Sequence, residues 1–143
     1  MEPTTVSPYR NTAIALKPSI GVIKVHSNRL HKSHVILAGI VSLLNTHRFP
    51  IVLLSTSESH VSIAISLTDG DAQALTRAKD ILKKYGDIEV LLEMSMVVIT
   101  GFKMTGVTRF AGRMLSILQQ NDILVEMSSL GTCSPYPHYV KLY

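Results

Sequence analysis

The sequence predicts an α+β chain of antiparallel sheets with helices on one face, built from two copies of one small unit. Three observations predict it. Apolar residues recur at period two in some stretches and at three-to-four-residue spacing in others, and the two kinds alternate along the chain. The 143 residues suffice for one ordinary domain or two very small ones sharing a core. A helix-then-strand pattern also recurs at a constant spacing of 74 residues. Residues 40–44 match 114–118, and Ile51, Leu53 and Ser55 match Val125, Met127 and Ser129.

Residues 1–11, rich in Thr, Pro and Ser, are expected to form a flexible arm. Residues 12–16 are compatible with a short strand, which Pro18 is read as ending. The β-branched run 20–26 is the next strand. A polar turn at 27–32 leads to Ser33, a residue suited to cap a helix over 34–47, with Ile36, Ile40, Leu43 and Leu44 on one face. Pro50 separates this helix from a strand at 51–55. Val61, Ile63, Ile65 and Leu67 alternate with smaller or polar residues, the period of a half-buried strand. After the turn at 68–71, Leu75, Ala78, Ile81, Leu82 and Tyr85 form a helical stripe over 72–85, with Gly86 as the cap. Ile88, Val90 and Leu92 resume alternation. The order β-α-β-β-α-β is the split pattern of ferredoxin-like folds.

The second copy begins with a strand at 97–102 and a turn into a helix at 105–107. The helical stripe is Phe110, Met114, Ile117 and Leu118, followed by a strand at 123–127. Beyond Gly131 the pattern weakens at Pro135 and Pro137, leaving 139–143 as a last strand.

Composition narrows function. Hydrophobic residues make up 46% and charged residues 17%, the balance of a globular chain. No apolar run approaches the roughly 20 residues that span a bilayer. The N-terminus does not read as a signal peptide, so a cytoplasmic protein without membrane attachment is expected. A lone Cys133 excludes an intramolecular disulfide framework and has no identifiable His–Asp pair with which to act as a nucleophile. The net charge of +4 is spread along the chain, and its nearest approach to a cluster is Lys24, Arg29 and Lys32 with His26, His31 and His34. With no Trp and no aromatic–basic alternation, nucleic-acid binding is not expected. The three histidines lack a fourth ligand at useful spacing, so neither a metal nor another cofactor is expected. Met94, Met96, Met104, Met114 and Met127 fall at apolar positions and are read as core.

The stretch His26-Ser27-Asn28-Arg29-Leu30-His31-Lys32-Ser33-His34, then Leu37-Ala38, then the run from Leu53 through Ser57-Glu58-Ser59-His60 to Ser62, resembles the first ACT domain of aspartokinases, the fungal ones in particular. Glu126-Met127-Ser128-Ser129-Leu130-Gly131 resembles the second. The resemblance covers about residues 11–134. It implies tandem ACT domains, the first at 18–93 and a shortened, discontinuous second made of 12–17 plus 94–143. It also implies a regulatory fold that binds a small amino acid of the aspartate family, commonly across a homodimer interface.

Carried over by position, the ligand-binding residues would be Leu30, Ser33, Ile36, Leu37, Ile51, Val52, Ser57 and Glu58, with Glu126 as the carboxylate of the second copy. Several depart from the family. Val35-Ile36 stands for a Gly-Phe pair, and Val52 for the Asp that holds the effector's ammonium. Leu130 and Cys133 replace polar recognition residues near Gly131. An ammonium taken out of water without its carboxylate costs several kcal/mol, so ordinary amino-acid binding should be weakened unless Glu58 substitutes. Ser57 and Glu58 otherwise read as a turn between strands, and Glu126 as a solvated strand residue.

The family's kinase domain would precede Thr12, and no Gly-rich phosphate loop is present, so aspartokinase activity is not expected and no residue is assigned a catalytic role. The expected function is a non-catalytic, amino-acid-binding regulator. The alternatives are a subunit that docks on a metabolic enzyme, or a scaffold recruited as an enzyme in fungal secondary metabolism. Loss of the Asp favours these two over simple inheritance of amino-acid binding.

Overall fold

The computed structural model describes residues 12–29, 31–101, 107–132 and 138–142. The expected arm at 1–11, and with it Met104, Cys133, Pro135 and Pro137, lie outside them. The elements run β1 (Thr12–Ser27), α1 (Ser33–Thr46), β2 (Ile51–Thr56), β3 (His60–Ser66), α2 (Asp71–Leu82) with a 3-10 turn (Lys83–Tyr85), β4 (Gly86–Gly101), α3 (Val107–Gln120), β5 (Ser128–Thr132) and β6 (His138–Leu142). The architecture is α+β and ferredoxin-like.

Contacts divide the chain into two compact units. One is Pro18–Ser95; the other combines Met1–Lys17 with Met96–Tyr143. In the first unit the strand order is β2-β3-β1-β4. β3 is antiparallel to both neighbours, with Ile23 opposite Ile63 and Val25 opposite Val61. Those four side chains meet Ile36, Ile40 and Leu44 of α1 and Leu75 and Leu82 of α2 in one apolar core. Removing them from water is the main stabilising term, about 25 cal/mol per Å² of apolar surface. Among the described residues no polar or charged residue is buried.

In the second unit β6 pairs with both β4 and β5; Val140 stands between Ile99 and Leu130. Its core is smaller. Ile99 and Ala111 are buried, with Phe110, Met114, Leu118 and Val125 packed around them.

The internal repeat is visible in the backbone. α1 and α3 are both 14 residues long, and Ser33 and Val107 are 74 positions apart, as are Thr46 and Gln120. Each helix ends alike. Arg48 and Asp122 take positive φ (57° and 56°), and the N–H groups of Phe49 and Ile123 return to the carbonyls of Leu44 and Leu118 at 2.9 Å.

Several sequence expectations need correction. Pro18 does not separate two strands; β1 continues through it, bent at Ser19 (φ 59°). The strands expected at 88–92 and 97–102 are one strand, β4, bent at Glu93 (φ 58°). The strand expected at 123–127 is not one. The ladder starts at Ser128, opposite Leu142, although Met127 is buried and Val125 half-buried, so the alternation there reflects packing without pairing. Ile81 and Ile117, placed on helical stripes, are about half exposed at 49% and 55%. Ser33 is the first residue of α1 rather than its cap. Lys32 holds the cap position, and its side chain makes no capping bond.

Candidate functional site

Two turns at one end of the first unit border a polar concavity. The first leaves β1. Its path is held by Ser27 N–H donating to the Ser59 carbonyl (2.8 Å) and Asn28 N–H to the Tyr85 carbonyl (3.1 Å). The Asn28 side-chain amide donates to the Lys84 carbonyl at 3.2 Å. Arg29 takes positive φ (63°), turning the chain toward α1, and its N–H is satisfied by Ser27 Oγ at 3.0 Å. A residue with a side chain pays for that conformation, and local hydrogen bonds of this kind offset the strain.

The second turn joins β2 to β3. Ser57 N–H donates to the His60 carbonyl at 2.8 Å, and His60 N–H donates back to Ser57 Oγ at 3.1 Å. This closes the hairpin and leaves Glu58 exposed at its tip. Ser59 Oγ lies 2.8 Å from His60 Nδ1. His60 stands opposite His26 in the β1–β3 ladder, and their rings stack at 4.2 Å. His31 meets the edge of Tyr85 at 5.4 Å. Tyr85 in turn is accommodated by Gly39 of α1, where a Cβ would strike the phenol oxygen.

Between the turns and the start of α1 lies a cavity of about 620 Å³ lined by Ser27, Arg29, His31, Lys32, Ser33, His34, Glu58 and Ser59. Of the residues expected at a ligand site, Ser33 and Glu58 line it. Ser57 is beside it, its hydroxyl engaged in the hairpin. Leu37 is half-buried against the core, and Ile36 lies fully inside the core. Ile51 is exposed on β2 and Val52 is half-buried next to it; neither lines the cavity. Leu30 lies outside the described residues. Glu126 is half-buried in the other unit. Arg29, His31, Lys32 and His34 were legible in sequence only as a diffuse basic cluster. Which of them share a cavity depends on the positive-φ turn at Arg29 and on the β2–β3 hairpin brought beside it.

No group of three or more His, Cys, Asp or Glu among the described residues is arranged to hold a metal ion. Among them, too, no helix is long and apolar enough to cross a membrane.

No protein-family model matches the chain. An aspartokinase of Candida albicans is 37% identical to it over 120 residues, which are 84% of this chain and 22% of that protein. The chain thus spans about a fifth of the length of that relative. A structure from Porphyromonas gingivalis, described as a C-terminal regulatory domain of aspartate kinase, superposes with a TM-score of 0.67 at 28% identity, covering 91% of this chain and 84% of that one. Escherichia coli aspartokinase III in complex with lysine and aspartate gives a TM-score of 0.62 at 21% identity, over 91% of this chain and 28% of that one, a likeness of fold.

Proposed function

This chain belongs with the ACT-domain regulatory regions of aspartokinases, and on that footing we propose that it is a regulatory module that binds a small amino-acid-type molecule without transforming it. The observation that carries the reading is the cavity between the β1–α1 turn and the β2–β3 hairpin, where Ser33 and Glu58 face one space of a size suited to a small ligand. Support comes also from aspartokinase III, whose structure holds lysine and aspartate. The chemistry of the lining fits binding rather than catalysis. Hydroxyls and cations can hold a carboxylate, but no nucleophile is paired there with a buried base. Two copies associate in this reading, since β2 stands at the edge of the sheet formed by the described strands.

A thermal-shift series with L-aspartate, L-lysine and L-threonine tests the reading. A ligand that binds only the folded state raises the melting temperature, by about 2.7 kcal/mol of added stability at a hundred times Kd. At least one of the three should do so, and Ser33→Ala and Glu58→Gln should shrink the shift. No shift with any of them would overturn the proposal.

A further inference from the structure

The charge around the cavity indicates the class of molecule that suits it. Arg29 and Lys32 bring cationic side chains, His31 and His34 bring imidazoles, and three serines offer hydroxyl donors. Glu58 is the one carboxylate among the described lining residues. Among the described residues, ion pairs join Lys24 to Glu89 and Lys83 to Asp80, and neither pair draws on the cavity. Among the described residues, then, neither Arg29 nor Lys32 is held in an ion pair, and both line the hollow. The first turn of α1, which borders the same space, contains no acidic residue to lower the local potential.

We propose that this cavity takes a small molecule with two anionic groups, a dicarboxylate or a phosphate monoester, with Arg29 and Lys32 as its charge partners. The proposal rests on the reading above that the cavity is the ligand site of the module. An amino acid with a neutral or basic side chain brings one carboxylate and at least one ammonium. The ammonium would meet Arg29 and Lys32, with Glu58 as the carboxylate among the described lining residues to answer it. A second anionic group reverses that balance. The planar guanidinium of Arg29 can receive a carboxylate or phosphate through two parallel N–H bonds, while Lys32 acts as a point charge.

Calorimetry on the full chain with succinate, with glycerol 3-phosphate and with L-lysine tests this at low ionic strength and again at roughly 0.5 M salt, where the screening length falls to a few Å. Arg29→Asn and Lys32→Ala are the variants, Asn being tolerant of the positive φ at that position. The expected result is binding of at least one dianion more tightly than L-lysine, weakened about tenfold by each substitution and further by salt. Whichever of succinate and glycerol 3-phosphate binds more tightly identifies the anionic group as carboxylate or phosphate. No binding of either dianion, or binding indifferent to both substitutions, overturns the inference. An amino acid that shifts the melting temperature through Ser33 and Glu58 would in that case leave the regulatory reading standing. Dianion binding through Arg29 and Lys32 with no response to any amino acid would do the reverse.

Discussion

Val52 lies where the β2–β3 register slips: Ile51 is opposite Ile65 and Leu53 opposite Ala64. A bulge of this kind re-aims a side chain and is common beside binding sites. Val52 nevertheless lies outside the lining of the cavity, so Val52→Asp is expected to leave affinity for L-lysine and L-threonine nearly unchanged, at some cost in stability to the unliganded protein. Calorimetry on wild type and variant checks this; a gain of about ten- to a hundredfold, the worth of a charged hydrogen bond, would place the amino-acid site at β2 instead of in the cavity. Glycine placement is equally local. Gly86 has φ 150°, and a Cβ there would run into the backbone carbonyl of His26, whereas at Gly39 it meets the outer end of the Tyr85 side chain. Gly86→Ala should therefore cost more, at least about 2 kcal/mol from strain and overlap together, with Gly39→Ala below it in urea unfolding. Sequence named Gly86 as a helix cap; the closeness of His26 that makes it obligatory arises only when β1 and the α2–β4 turn meet.

At the scale of elements, equivalent positions of the repeat carry unequal weight. Ile40 in α1 is fully buried, while Met114, 74 positions on in α3, is half-buried beside a smaller core. Ile40→Ala should cost roughly 2–5 kcal/mol, the usual range for emptying a packed site, and Met114→Ala distinctly less, as equilibrium denaturation would register. The entry to α2 has its own acid-sensitive contact. The Thr68 hydroxyl and backbone N–H, at 2.6 and 2.7 Å, donate to Asp71 and hold its carboxyl below the ordinary value of 3.8. A carboxyl lowered by folding stabilises the native state above its unfolded value, and that contribution is lost as pH falls through the lowered one. The melting temperature should drop as pH falls below about 4, and Asp71→Asn should make that drop shallower. Both helices and their stripes were legible because a 3.6-residue period survives without knowledge of partners. Strand limits were not. Pro18 and the junction between the two copies at 93–96 were read as breaks, yet the chain passes both by a positive-φ residue inside one strand.

For the whole molecule, the edge position of β2 and the exposed Ile51 and Leu54 on it, each 41% exposed, favour pairing of two chains along that edge. Light scattering at micromolar protein is expected to report about twice the 15.7 kDa of one chain. A monomer throughout that range would exclude association through β2. Leu54→Lys, which places a charge on the edge, should shift the equilibrium toward the monomer without loss of secondary structure.

By itself the sequence determined the α+β class, the 74-residue repeat, the two helices of the first unit and most of its core, because these follow from periodicities and residue types that act locally. Likeness to a known family also singled out Ser33 and Glu58, which line the cavity. Tertiary structure decided the rest. It put Ile36 inside the core, and carried two long strands through positive-φ residues where breaks were expected. It also gathered Arg29, His31, Lys32 and His34 around one cavity with Glu58. Those outcomes depend on hydrogen bonds and contacts between residues such as Ser27 and Ser59, or Asn28 and Tyr85, which are distant in sequence and become neighbours only when the sheet closes.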